Sequence, residues 1–265
     1  GSASTMVELG RIAHRVIKDV DPENKLLSPG FTDEGNRLDL YLSLGGKDIT
    51  DVVAHHFYPE KPELITSKVG HIRRVMDKHG LAHLPLWNTE TGYWLEAPGE
   101  KNSPNWPRNA TELVGYMARV LVLGAAAGID RFYWYSWEKT MFNGMPRGVQ
   151  SNSVSLGYMQ TMRWLRGAQV ESCSTRDRNV WVCEISLGER KARMVWSTRG
   201  PVDWLTPPHW QARQIETLDA RVLPYAEGMP VQLDAVPVLV KSDTHLWVAR
   251  TPGRQTREGW PDGRR

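Results

Sequence analysis

Cysteine is nearly absent from this chain: of 265 residues only Cys173 and Cys183 carry a thiol. Two cysteines cannot frame a disulfide-rich miniprotein, and with this spacing and no histidine nearby they do not make a zinc site. Long apolar runs are missing too. No stretch approaches the roughly 18 uninterrupted apolar residues of a membrane-spanning helix. No charged, apolar, then small leader opens the chain, and its first residues, GSASTM, include no initiator Met, which leaves the natural N-terminus open. An excess of one charge is likewise lacking. The 33 Lys and Arg and 30 Asp and Glu give a net of +3, with the basic residues scattered except in the terminal RTPGRQTREGWPDGRR. A nucleic-acid footprint and a membrane partner are therefore not expected. Internal repeats, heptads and low-complexity tracts are absent as well.

What is present is a chain of 40% hydrophobic residues, enough for one large or two ordinary cores. Its 12 Trp outnumber its 4 Phe, and Trp faces suit sugar rings as well as cores. The two cysteines flank a hairpin, ESCSTRDRNVWVCEI, with RDRN at the turn. They face each other either as a disulfide, which would place the protein outside the cytoplasm, or as two buried thiols.

Two regimes meet near residue 140. Before it, Met6, Leu9, Ala13, Val16, Ile17 and Val20 recur at helical spacing and stop at Asp21-Pro22. KLLSPG is a short strand and turn, residues 34 to 45 a short helix, and DVVAHHFYP a β-branched strand. A helix with the stripe Ile65, Val69, Ile72 and Met76 ends at Gly80, and LPLWNTE is the next strand. Asn109 and Glu112 make a capping box for TELVGYMARVLVLGAAAG, and RFYWYSWE is the last strand of this rhythm. Alternating helices and short apolar strands predict a parallel sheet. After a helical connector at 158–168, short alternating segments such as NVWVCEIS, KARMVWST and VPVLVKS predict a β-sandwich. The fold class is α/β plus all-β, with units at 1–157 and 158–249 and a disordered tail at 250–265.

Strand alternation groups Leu84, Leu86, Asn88 and Glu90 on one face, Ala54, His56 and Tyr58 on another, and Trp134, Ser136 and Glu138 on a third. If the apolar members fill a barrel interior, three strands deliver polar or aromatic groups to one mouth, where such barrels keep their chemistry. His55 and His56 point opposite ways and do not form a metal pair; no metal or cofactor is expected. Tyr133, Tyr135 and Trp137 read as core.

The NTETGY strand end, the His56-x-Tyr58 pair ending the strand before it, and the YW strand after it resemble strands seven, six and eight of the clan A retaining glycoside hydrolases. The group is that of β-xylosidases, iduronidases and bacterial exopolysaccharide hydrolases, and WLRGA leading into a β-domain is similar to them as well. The resemblance spans residue 5 to about 245. It implies a partial (β/α)8 TIM barrel, strands five to eight, followed by a β-sandwich, in a protein secreted or periplasmic in a bacterium. It implies Glu90 as the nucleophile, Tyr58 bonded to that carboxylate, and His56, Asn88 and Glu138 lining the subsite. Trp134 would be the floor under an oligo- or polysaccharide.

The sequence departs from that family in one respect. The family's acid/base Glu follows an Asn at the end of strand four, and no Asn-Glu pair occurs here. Glu8, Glu34, Glu96 and Glu138 are candidates for a substitute by loop position alone, and none of them is expected to serve. Without a general acid, hydrolysis should weaken by about 10² to 10⁴-fold. A half barrel also needs a cover, from a second copy of the chain, a companion chain carrying the other half, or the β-domain. A non-catalytic carbohydrate-binding protein and an inactive fragment stay open as alternatives.

Overall fold

The computed structural model describes residues 2–93, 107, 109–135, 153–176 and 179–248. Helix α1, Ala3–Val20, is opened by Ser2, whose Oγ accepts from Thr5 N, and closes at Asp21, before Pro22. The segment 26–31 then runs parallel to β1, Val53–His56, through bridges from Leu27 to Val52 and from Phe31 to His55. Helix α2, Asn36–Ser43, lies between them. Helix α3, Ile65–Lys78, leads to β2, Leu86–Thr91, and α4, Ala110–Ala126, leads to β3, Arg131–Trp134. The strands pair in the order β1-β2-β3, all parallel. The stripe Ile65, Val69, Ile72 and Met76 is buried, and the left-handed Gly80, at φ +75°, follows the helix end.

The faces of β2 and β3 are the reverse of what alternation predicted, whereas Ala54 of β1 lies away from the helices as expected. Val53 pairs with Leu86 and Asn88 with Phe132, and Val53, Leu86 and Phe132 pack in the core with α3 and α4. The opposite face carries Ala54, Trp87, Arg131 and Tyr133. There the Arg131 guanidinium lies 4.4 Å from the centre of the Trp87 ring, and the Tyr133 ring is 6.0 Å from it. Tyr133 and Tyr135, expected in the core, are exposed. Parallel strands are apolar on both faces, so a run such as LPLW carries no signal for which face the helices cover.

Helix α5, Ser153–Leu165, begins before the expected connector, so the 157/158 boundary falls inside a helix. A six-stranded antiparallel sheet follows in the order β4-β5-β6-β11-β8-β9. Its strands are β4 (Gln169–Thr175), β5 (Val180–Leu187), β6 (Arg190–Ser197), β8 (Gln214–Glu216), β9 (Val222–Pro224) and β11 (Val238–Lys241). A ribbon of β7 (Val202–Trp204) and β10 (Val231–Leu233) is separate from it. Val180, Val182, Val195 and Val240 share a core with Val231 and Leu233 of the ribbon. Cys183, Ile185, Met194 and Trp196 point the other way and join the core of the α/β part.

One continuous core therefore crosses the expected unit boundary, with α4 as its centre. Gly115 permits the approach, since a Cβ there would lie 2.5 Å from the carbonyl oxygen of Ala235. Trp196 Nε1 donates to Glu63 Oε1 at 3.1 Å, and Arg119 Nη1 reaches the same oxygen at 2.8 Å. At the second junction Glu216 is fully buried. Lys241 Nζ lies 2.6 Å from its Oε1, while Arg163 Nη2 and Trp164 Nε1 donate to its Oε2 at 2.5 and 3.0 Å. Cys173 and Cys183 are register partners on β4 and β5 and form a disulfide, which decides between the two alternatives. The 250–265 tail lies outside the described residues. Among the described residues no helix is long and apolar enough to cross a membrane.

Candidate active site

The polar groups of interest sit at the C-terminal ends of β1 and β2. Alternation alone would leave Glu90 on the helix-covered face with Leu86 and Asn88. A β-bulge prevents this: His55 pairs with Asn88 but His56 pairs with Glu90, so Thr89 is an extra residue on β2. The same shift recurs against β3, where Asn88 pairs with Phe132 and Thr91 with Trp134. Bulges re-aim the residues beyond them. Here Thr91 takes the buried position and Glu90 emerges, about a third of its side chain exposed at 32%.

Glu90 then meets both residues that the sequence had grouped. Tyr58 Oη donates to Glu90 Oε1 at 2.5 Å, and His56 Nδ1 lies 3.5 Å from Oε2. Burial, and next the carboxylate beside it, push the Tyr58 phenol far above its ordinary range, so it stays a donor. The chain end that carries Tyr58 is clamped from below. Asn88 Oδ1 accepts from Phe57 N at 3.1 Å, and Thr91 Oγ1 donates to Phe57 O at 2.8 Å. Asn88, expected at the subsite, is thus fully buried and holds backbone instead.

Trp134 pairs with Thr91 and packs against the core with its ring 6.3 Å from Tyr93. None of the contacts described for it reaches Glu90. Glu138 and Ser136 lie outside the described residues, as do Glu96 and Trp137. Glu34, one of the loop carboxylates, is held by Lys68 at 2.7 Å.

Two contributors escaped the sequence reading. Gly30 was read as a turn residue, but a Cβ there would come within 3 Å of the imidazole of His56; only glycine leaves room for that ring. Tyr135, taken for core, acts electrostatically on the Tyr58 phenol and is 38% exposed. Behind the site, Asp33, Glu34, His55, Lys68 and His71 line a small polar cavity. His55 is 3% exposed, its Nδ1 has no partner, and burial lowers its pKa to about 4.

A carboxylate held by a phenol donor and an imidazole, on a strand end open to solvent, is equipped to act as a nucleophile or as an electrostatic partner of a cationic centre.

No protein-family model and no curated protein matches the sequence. Solved structures do match in fold. A glucosidase from Croceicoccus marinus superposes with a TM-score of 0.56 at 14% identity, over 89% of this chain and 52% of that one. A family 44 endoglucanase from Clostridium thermocellum gives 0.59 at 10% identity, over 91% and 62%. A 4-O-α-L-rhamnosyl-β-D-glucuronidase from Fusarium oxysporum gives 0.54 at 13% identity, over 91% and 65%. The chain spans between about half and two thirds of the length of these enzymes, and what it shares with them is a glycoside-hydrolase fold.

Proposed function

We propose that the chain carries the C-terminal half of the (β/α)8 barrel of a retaining glycoside hydrolase, with its β-domain, and that Glu90 is the nucleophile. The observation that carries the reading is the Tyr58 and His56 pair closing on Glu90 at adjoining strand ends. The three parallel strands, together with segment 26–31 bridged beside β1, correspond in this reading to half of the eight that close such a barrel.

In this reading the ionised Glu90 attacks the anomeric carbon of a β-linked glycan, forming a glycosyl ester, while a second carboxyl protonates the departing oxygen. Tyr58 donates to the Glu90 oxygen that does not attack and keeps the carboxylate aimed. His56 orients the other oxygen. Asn88 and Thr91 act through Phe57 as positioning residues. Trp134, partly buried at the end of β3, and Glu138 are the sugar-binding residues of this reading, and the polysaccharide class follows the fold neighbours. The acid is the part that these residues do not supply, so this half alone hydrolyses ordinary glycosides slowly. The Cys173–Cys183 bond supports an oxidising, extracytoplasmic setting.

The test uses a leaving group that needs no acid. The protein is incubated with 2-deoxy-2-fluoro glycosyl fluorides of gluco, xylo, galacto and glucurono configuration. Glu90 attack expels fluoride and leaves a stable glycosyl ester. The expected result is one added glycosyl mass on the peptide containing Glu90, lost in Glu90→Gln. Labelling at another residue, or none across the set, refutes the assignment.

A further inference from the structure

Helix α4 and the β-domain do not close on one another along their whole length. At Gly115 the carbonyl of Ala235 lies against the helix, but one turn earlier the two part around a cavity of about 390 Å³. That is a size which holds small ligands. Val114, Leu218 and Pro237 are buried at its floor. The exposed side chains of Thr111, Arg221, Gln232 and Asp234 form its rim. An aliphatic floor with a few polar groups around it is the usual make-up of a ligand pocket.

The rim is set before any ligand arrives. In the turn between β8 and β9, Thr217 Oγ1 donates to Asp219, and Arg221 Nε donates to the other oxygen of that carboxylate at 2.7 Å. This fixes the guanidinium and leaves its two terminal nitrogens free to donate. Asp234 Oδ1 accepts from Val236 N at 2.7 Å, so Oδ2 is left to accept. Among the described residues the Thr111 hydroxyl and the Gln232 amide make no hydrogen bond. Asp219 offsets Arg221, and Asp234 gives the lining a net charge of about −1, which disfavours an anion. A neutral pyranose ring matches what remains, with a C–H face for the floor and hydroxyls that both donate and accept at its edge. The cavity also lies at the Glu90 end of the sheet, because α4 starts where β2 ends. Tyr116 meets Tyr93 at 5.1 Å on one side of α4, and Val114, two residues earlier, faces the opposite way.

We infer that this cavity between α4 and the β8–β9 turn is a second, non-catalytic sugar site, which takes one ring of a neutral oligo- or polysaccharide. The C–H face of the ring lies on Val114, Leu218 and Pro237, and its hydroxyls bond to Arg221, Gln232 and Asp234. One helix separates the site from Glu90, so a long glycan can be held here while another part of it is presented to the carboxylate. The choice of a sugar rests on the glycosidase reading above, but the site makes no use of Glu90.

The test is calorimetric titration of the 265-residue chain with cellohexaose, laminarihexaose and xylohexaose, read together with hydrogen exchange. At least one of the three should bind, and Glu90→Gln should bind it equally well. Exchange should slow in 217–221 and 232–238. Arg221→Ala combined with Gln232→Ala should weaken binding by about tenfold or more, since each removes a hydrogen bond to the ring. The melting temperature should stay the same, because both side chains are exposed. Thr111→Trp, which fills the cavity from α4, should weaken binding as well. No binding by any of the three sugars overturns the inference, and so does binding that both the double variant and Thr111→Trp leave intact. Binding abolished by Glu90→Gln alone overturns it too, and tighter binding of an oligoglucuronate overturns the neutral ligand. Sugar binding here with Glu90 unlabelled by the fluoroglycosides refutes the nucleophile and leaves the second site standing.

Discussion

His55 should make the folded chain lose stability in mild acid, and the size of the loss follows from its surroundings. The imidazole is 3% exposed, tilted against Phe57 with ring centres 4.7 Å apart, and its Nδ1 has no partner. Burial is the main cause of its lowered pKa of about 4, with His56 adding to it and Asp33 and Glu34 partly opposing. An unfolded chain takes up the same proton near pH 6.5. Between these values the unfolded state therefore binds more protons than the folded one, and stability rises with pH through the window. The contribution is fully present above about pH 6.5 and is lost progressively as pH falls to about 4. The total is about 3 kcal/mol, with a slope of at most about 1.4 kcal/mol per pH unit. Carboxylates such as Asp39, held low by Lys78 and His79, do not confuse the result. Their stabilisation is present above their unfolded value of 3.8 and fades only below it. The assay is guanidinium unfolding at pH 7.5, 6.5, 5.5 and 4.5 for the native chain and for His55→Gln, which cannot titrate. The substitution will have its own cost at pH 7.5, so the slope is the readout. The native chain should lose about 1 kcal/mol per pH unit below 6.5, and His55→Gln should lose much less. Equal slopes would refute the assignment of the acid sensitivity to this buried ring.

Three further outcomes are expected. Tyr58→Phe removes the donor to Glu90; fluoroglycoside labelling should slow by about 10- to 100-fold, since a hydrogen bond to a charge is worth about 1.5–3 kcal/mol, while the melting temperature stays within a few degrees. Glu216→Gln leaves Lys241, 1% exposed, with no counter-charge beneath Trp164. Equilibrium unfolding should show a loss of about 3–5 kcal/mol, whereas removal of an exposed ion pair such as Arg221–Asp219 should cost less than about 1 kcal/mol. Replacing both Cys173 and Cys183 by Ser opens a loop closed over a separation of 10 residues. Denaturant unfolding should report a loss of about 3 kcal/mol by the loop-entropy estimate, and the same loss should follow reduction of the native chain.

The sequence by itself determined the order and kind of the elements. Periodicity marked α1, α3 and α4, the Asn109 cap and Gly80 marked their ends, and β-branched runs marked the short strands, because these are local properties of neighbouring residues. It also brought His56, Tyr58 and Glu90 under suspicion, since a carboxylate closing an apolar run is itself a local anomaly. Which way those residues point was decided only in the folded chain. A parallel strand apolar on both sides does not say which side the helices will cover, and so Trp87, Tyr133 and Tyr135 came out on the open face while Asn88 went under. Glu90 reaches Tyr58 because of the bulge at Thr89, and a bulge exists only relative to a partner strand. His56 fits because Gly30, from a strand 26 residues earlier, has no Cβ. The single core through α4 and the exposed stripe on α1 are likewise facts of long-range packing. An amphipathic helix announces that it needs a neighbour, but only the tertiary structure shows whether that neighbour is there.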